Sequence, residues 1–140
     1  MANDNGDREI TFDAGTITHD ELEAVLNTLP VDITFVDRDN TVRYFNQPGK
    51  RIFARAKGVI GRKVQQCHPP KSLDKVNTIV EEFKGGRPDP AEFWIQMKGR
   101  VISIRFFPVR DKEGNYLGCL EVVQDITELQ KLKDEKRLLD

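Results

Sequence analysis

The chain has 140 residues, of which 22 are Lys or Arg and 23 are Asp or Glu, so its formal net charge is −1 at pH 7. This length fits one domain with short flanking segments, and such a domain can bury a core without disulfides or metals. The balanced charge gives no electrostatic argument for binding nucleic acid or an anionic membrane, and no stretch of about 18 apolar residues predicts a membrane span.

The N-terminal segment, residues 1–17, is rich in Asn, Asp and Gly, and this composition predicts a flexible lead-in. A first helix is predicted to begin at Thr18, because Thr18 and Glu21 have the spacing of a capping box. Pro30 ends this helix, since proline has no N–H to continue the hydrogen-bond ladder. The apolar face of the helix comprises Leu22, Val25, Leu26 and Leu29.

A hairpin is predicted next. Two β-branched and aromatic runs, residues 33–36 and 41–45, flank the turn-forming residues 37–40. The following residues 50–57 are predicted to form a short helix that is broken at Gly58.

A longer helix is predicted to start near Ser72, after the rigid pair Pro69-Pro70. Gly85-Gly86 is predicted to end it. Its apolar residues fall on one stripe, which comprises Leu73, Val76, Ile79, Val80 and Phe83.

Three strands are predicted after this helix, over residues 93–97, 100–109 and 116–124. Lys98-Gly99 is a tight hairpin loop between the first two, and residues 111–115 turn the chain into the third. Five strands without a regular alternation of strand and helix predict an α+β fold, in which an antiparallel sheet carries helices on one face.

The last strand ends at Asp125-Ile126-Thr127 and passes directly into a charged segment, residues 128–140. Thr127 and Gln130 again have capping-box spacing, which predicts a C-terminal linker helix after a domain that spans residues 18–127. So short a helix is marginal alone, and its stability is expected to come from a partner or a following effector. Its coiled-coil seam comprises Leu129, Leu132, Lys136 and Leu139.

The two cysteines, Cys67 and Cys119, form neither a CxxC pair nor a disulfide framework, and they are predicted to be reduced thiols of a cytoplasmic protein. Together with His19 and His68 they could bind zinc only by converging from distant segments, and their spacing has no finger-like pairs. The sequence shows no nucleophile–base pair, phosphate-binding glycine loop or carboxylate pair, so enzymatic activity is not predicted.

In the order and spacing of these elements, the chain from about residue 20 to residue 127 resembles a PAS domain. The resemblance is carried by Leu29-Pro30, Val36-Asp37, Asn46, Gly118 and Asp125-Ile126-Thr127. It implies a PAS fold with a five-stranded antiparallel sheet and flanking N- and C-terminal helices. It also implies a sensory or interaction function, a homodimer formed through the flanking helices and a downstream effector domain.

The segment from Gln66 to Lys75 resembles a narrower group, comprising PAS modules joined to hemerythrin-like domains and the heme-PAS regulators that respond to carbon monoxide. In those regulators the histidine that matches His68 is a ligand of the heme iron. The resemblance therefore implies b-type heme as the cofactor and His68 as the metal ligand. The regulators' other ligands do not carry over, because Arg87 stands near the place of their cysteine and Met97 lies three or four residues from that of their methionine.

Most PAS domains hold a small molecule between the sheet and the helices, so Phe83, Trp94 and Phe106 are expected to line a cofactor pocket with His68. Heme propionates would also require cationic partners. The candidates for that role are Lys71, Arg100 and Arg105.

The hypothesis is therefore a sensor of gas or redox state that signals through Asp125, Ile126 and Thr127 and the C-terminal helix. Two alternatives stay open at this point. The first is a cofactor-free PAS module whose function is dimerisation. The second is a PAS domain that binds another small apolar ligand.

Overall fold

The computed structural model describes residues 4–139, which contain a small hairpin, a five-stranded sheet and two α-helices. The strands are β1 (Glu9–Phe12), β2 (Gly15–Thr18), β3 (Asp32–Asp37), β4 (Val42–Phe45), β5 (Ala91–Met97), β6 (Arg100–Arg110) and β7 (Tyr116–Asp125). The helices are α1 (His19–Thr28) and α2 (Pro70–Lys84), and 3₁₀ turns occupy Asp4–Asp7, Lys57–Val59, Val64–Cys67 and Leu129–Lys131. Neither α-helix in the described range has the length and apolarity needed to cross a membrane.

The larger sheet is antiparallel with the strand order β4-β3-β7-β6-β5, which confirms the predicted α+β fold. β7 therefore lies at the centre of the sheet. Paired residues of antiparallel strands share a face, so Thr34, Glu121 and Phe106 form one row across the sheet. Helix α2 packs on this face. The core cluster there comprises Ile79, Phe83, Ala91 and Cys119.

Helix α1 begins and ends where the sequence predicts. The Glu21 N–H donates to Thr18 Oγ1 at 3.1 Å, and the Thr18 N–H donates to Glu21 Oε1 at 2.8 Å, so both bonds of the capping box are present. The helix ends at Thr28, two residues before Pro30. The predicted helix is therefore confirmed.

The elements after residue 69 follow the prediction closely. Helix α2 begins at Pro70, two residues before the predicted start near Ser72, because proline suits the first helical turn, where its missing N–H would have no partner. Lys98 and Gly99 have φ angles of 52° and 75°, which a tight two-residue hairpin requires, and this turn sets the register of β5 against β6.

The N-terminal segment differs from the prediction. Where residues 1–17 were predicted to be a flexible lead-in, β1 and β2 form a hairpin, and the prediction was wrong for residues 9–17. The Ile10–Ile17 pair and a 3.2 Å contact between the hydroxyls of Thr11 and Thr16 join the strands. These β-branched residues are strand formers that a composition dominated by Asn, Asp and Gly conceals. Residues 1–3 lie outside the described part of the chain.

The predicted short helix over residues 50–57 is also wrong, since only a 3₁₀ turn at Lys57–Val59 forms nearby. The reason is a competing acceptor. Asp32 Oδ2 accepts the N–H groups of Ile52 at 2.7 Å and Phe53 at 3.3 Å, so a side chain from β3 binds the backbone that a helical ladder would have used.

The C-terminal linker helix predicted over residues 128–140 does not form in the described part, residues 128–139, which contain a single 3₁₀ turn. Helices this short are marginal in water without packing. Leu138 and Leu139 are 99% and 95% exposed, so their side chains have almost no apolar cover in one chain. Thr127 does not cap a helix either, because its hydroxyl oxygen accepts the Val101 N–H at 2.8 Å.

Candidate functional site

A cavity lies between the sheet, α2 and the loops that connect β4 to α2. The cavity has a volume of about 40 Å³, which gives room for roughly three water molecules. Most of the wall is apolar. Its valines are Val36, Val42, Val59, Val64, Val76 and Val80.

Arg55 and Glu121 form the charged part of the cavity wall. Arg55 Nη2 donates to Glu121 Oε1 at 2.8 Å, and the two side chains are only 18% and 13% exposed. Arg55 belongs to the loop after β4, whereas Glu121 lies at the middle of β7. The pair therefore fixes the loop to the central strand of the sheet.

His68 also lines this cavity. It follows the 3₁₀ turn Val64–Cys67 and precedes Pro69, and its extended backbone, with φ −119° and ψ 145°, connects the turn to α2. Burial lowers the pKa of His68 below its ordinary value, while the Glu121 carboxylate opposes this shift and the Arg55 guanidinium adds to it. The imidazole is accordingly neutral at pH 7, which is the form that coordinates metals.

The structure brings together two of the four residues predicted to hold a cofactor. Phe106 lines the cavity with His68. Phe83 is fully buried in the neighbouring core cluster and is not part of the cavity wall. Trp94 is 72% exposed and pairs with Ser103, on the sheet face opposite Phe106.

The three cations predicted to meet heme propionates also lie away from the cavity. Arg100 is the first residue of β6, and its guanidinium contacts Asp125, at the end of β7, and Glu128. Arg105 lies on the opposite face of the sheet, because it pairs with Val122, next to the row that contains Glu121. Lys71 is exposed on the first turn of α2.

Sequence reasoning missed Arg55 and Glu121. Glu121 left a weak signal, since it is the one charged residue inside the predicted strand 116–124. Arg55 left none, because its partner lies 66 residues further along the chain.

A second cluster surrounds the predicted output residues Asp125, Ile126 and Thr127. The Ile126 N–H donates to the Val101 carbonyl at 2.9 Å, and the Val101 N–H donates to Thr127 Oγ1 at 2.8 Å. The exit from β7 is therefore bonded to the start of β6. We call residues 125–127 and their contacts with residues 100 and 101 the exit junction.

Charge strengthens the exit junction. Arg100 Nε donates to Asp125 Oδ2 at 2.8 Å, and the Thr127 N–H donates to Asp125 Oδ1 at 3.0 Å. These bonds, the one from Arg100 first, lower the pKa of Asp125 to about 2. The stabilisation that the Asp125 carboxylate provides is therefore fully present above its ordinary pKa of 3.8 and is lost as the pH falls from there through about 2.

The cavity and the exit junction share one strand. Glu121 and Asp125 are four residues apart on β7, a distance of roughly 13 Å along the strand, and their even spacing puts both on the same face. A displacement of β7 at Glu121 would thus also move Asp125, because the backbone of one strand connects the two residues.

The residues of the cavity meet the chemical needs of a heme but not its size. A neutral imidazole and apolar walls suit axial ligation of a porphyrin. The present volume does not, because a porphyrin would have to displace the Arg55–Glu121 pair and the loop that contains it.

Other metal centres find little support in residues 4–139. No three His, Cys, Asp or Glu side chains come together there in a way that could hold a metal ion. Burial also raises the pKa of Cys119 to about 12, so this cavity residue is a thiol and not a thiolate at neutral pH.

Comparisons with known proteins agree with this architecture. A family model for the PAS domain matches residues 22–127. The C-terminal domain of a protein from Streptococcus mutans superposes with a TM-score of 0.86 at 34% identity, covering 91% of this chain and 99% of that one. No match was found among curated proteins.

Two more distant solved structures share the fold. The PAS domain of a protein from Colwellia psychrerythraea has a TM-score of 0.57 and 17% identity, with 78% of this chain and 97% of that chain covered. A sensory box sensor histidine kinase from Vibrio cholerae has a TM-score of 0.53 and 16% identity, with 76% and 89% covered. At these identities the likeness concerns the fold alone.

Proposed function

The chain belongs to the PAS domain family, and we propose that it is a sensory domain that binds a ligand beside His68 and transmits this binding to the exit junction. The observation that carries the proposal is that a neutral His68 lines an apolar cavity together with Glu121 of β7. The same strand ends at Asp125. The role is one of binding, with no catalytic step.

Transmission would require two conformations of the domain that bind the ligand with different affinity. In the conformation described above, Glu121 pairs with Arg55, and the Val101 N–H is bonded to Thr127. A ligand that alters the Arg55–Glu121 pair would shift β7 and thereby change the hydrogen bonds of the exit junction. The segment after Thr127 would then present a different geometry to an effector.

Heme b is the first candidate for the ligand, and the neutral imidazole of His68 favours it. His68 would hold the iron, while Phe106 and the valines would form apolar walls after the Arg55 loop had opened. Bound heme would supply an iron that responds to gas or to redox state. Phe83 and Trp94 would contact it only after a larger rearrangement.

Titration with hemin tests this candidate, and the two histidines of the chain offer a matched pair of variants. In the parent protein a sharp Soret band is expected. His68→Ala should shift that band and weaken hemin binding roughly tenfold or more, because the axial ligand is lost. His19→Ala should leave the band unchanged, since the side chain of His19 is half exposed next to Asp20.

Identical spectra for the parent and His68→Ala would exclude His68 as the ligand. Absence of saturable hemin binding in the parent would exclude heme and leave the second candidate, a small molecule. The volume of the cavity favours that candidate, since it accommodates about three water-sized groups.

We also propose a homodimer formed through the flanking segments, with an effector domain downstream. The support comes from the exposed leucines after Thr127, which would gain apolar cover if residues 128–140 paired as a coiled coil. Sedimentation with and without these residues distinguishes the two states. A monomer in both cases would contradict the homodimer.

A further inference from the structure

The Arg55 guanidinium has a hydrogen-bonding capacity that its surroundings leave unused. Its Nη2 donates to Glu121 at 2.8 Å, but its Nε is buried and finds no acceptor anywhere in residues 4–139. A buried donor without an acceptor is unfavourable, because it has lost its bonds to water. An occupant of the cavity that carries an acceptor would remove this penalty.

The charges of the cavity wall are already balanced. Arg55 and Glu121 cancel each other at hydrogen-bond distance. The remaining lining residues are apolar side chains, Thr34, His68 and two cysteines. A charged occupant would therefore bring an unpaired charge into a largely apolar space, which is costly.

The size of the cavity limits the occupant further. Space for roughly three water-sized groups admits a molecule of only a few non-hydrogen atoms. Valine is the most frequent residue of the wall, and its side chains suit a short hydrocarbon body. The polar end of the molecule would have to lie toward Arg55.

We propose that the molecule sensed is small and neutral, with a short apolar body and one hydrogen-bond acceptor that receives the buried Nε–H of Arg55. The proposal rests on the function proposed above with its second candidate, a small molecule, as the ligand, and it specifies the chemical class of that molecule. Glu121 would be the residue that excludes anions, because its carboxylate already neutralises the positive charge of Arg55.

Three probes separate the effects of apolar burial, the hydrogen bond to Arg55 and the ligand's charge in the intact chain. 2-Butanone and propionate have similar sizes, but propionate has a carboxylate oxygen where 2-butanone has a methyl group. Xenon enters apolar cavities without any hydrogen bond. Binding is read from the NMR shifts of methyl groups in the cavity wall, such as those of Val36, Val80 and Ile79.

In the parent protein 2-butanone is expected to shift these methyl signals with saturation, and propionate to bind about tenfold more weakly or worse because it buries an unpaired charge. Glu121→Gln should reverse the order. The substitution keeps the size of the side chain but leaves Arg55 without its counter-ion, so propionate should now bind more tightly than 2-butanone. Circular dichroism and methyl dispersion confirm that the variant is folded.

Propionate binding as tightly as 2-butanone in the parent would overturn the proposal, and so would a folded Glu121→Gln variant that gains no affinity for propionate. Should that variant fail to fold, the comparison of the two probes in the parent decides alone. If xenon enters the cavity but 2-butanone binds no more tightly than propionate, the cavity can still hold a ligand, but the proposed hydrogen bond from Arg55 to that ligand is refuted. If xenon, both probes and hemin all fail to reach the cavity, the proposed function itself fails.

Discussion

Replacing Asn46 by alanine is expected to lower the free energy of unfolding by roughly 3 kcal/mol or more, since each buried polar group left without a partner costs about 1–3 kcal/mol. Asn46 is 0% exposed. Its Oδ1 accepts the Ile33 N–H at 2.8 Å, and its Nδ2 donates to the carbonyls of Leu26 and Val31 at 2.9 and 3.0 Å. The side chain thus joins the end of α1 to the start of β3. Urea denaturation followed by circular dichroism measures the effect.

Asn27 provides the matched control. Its Oδ1 accepts one hydrogen bond, from the Gln47 N–H at 2.7 Å, at an exposed position where water can replace it. Asn27→Ala should therefore cost about 1 kcal/mol or less. Equal losses for Asn27→Ala and Asn46→Ala would show that the buried network does not hold α1 to the sheet.

Gly118→Ala is the second substitution with a large expected effect, a loss of roughly 3 kcal/mol or more that combines overpacking with backbone strain. Gly118 lies in β7 with φ +154°, and a Cβ placed there would come within 2.1 Å of the Val36 carbonyl oxygen. Because that oxygen belongs to the backbone of the neighbouring strand, the contact can be relieved only by moving β3 away from β7. Thermal and urea unfolding of the variant measure the loss.

Gly114→Ala separates the steric effect from the strain. Gly114 has a φ of +86°, but an added Cβ would meet no atom within 4 Å. The expected loss is about 1 kcal/mol, from the unfavourable φ alone. A Gly118→Ala variant that is no less stable than Gly114→Ala would contradict the close approach of β3 and β7.

The order of elements was predictable because it depends on local signals. The capping box of Thr18 and Glu21 fixes the start of α1, and the Lys98-Gly99 turn fixes the register of β5 and β6. Elements decided by distant partners were not predictable. The failed helix over residues 50–57 depends on Asp32, which lies some 20 residues earlier and binds that backbone.

The site was predictable in part. His68 was found through a resemblance of its local segment, and it does line the cavity. Trp94 could have been placed correctly, since counting from the Lys98-Gly99 turn puts it opposite Ser103 and therefore on the other face from Phe106. Arg55 could not, because an ion pair across 66 residues leaves no local pattern.

The same distinction applies to the C-terminal segment. Its capping and heptad signals are genuine local features. The Thr127 hydroxyl cannot cap a helix, however, because its oxygen accepts the Val101 N–H at 2.8 Å. A helix of this length needs packing that one chain does not provide. The pattern after Thr127 therefore describes what the segment is suited to form with a partner.

The central claim is that binding of a ligand beside His68 changes the hydrogen bonds of the exit junction. Hydrogen exchange of the Val101 and Ile126 amides tests this claim most directly. Both amides donate across the junction, to Thr127 Oγ1 and to the Val101 carbonyl. Saturation with 2-butanone or hemin, whichever binds, is expected to change their exchange rates. The amide of His19, which donates to the Arg8 carbonyl at the start of α1, should keep its rate, because neither residue lines the cavity or belongs to the exit junction. A bound ligand that alters the cavity signals and leaves Val101 and Ile126 unchanged would contradict the account.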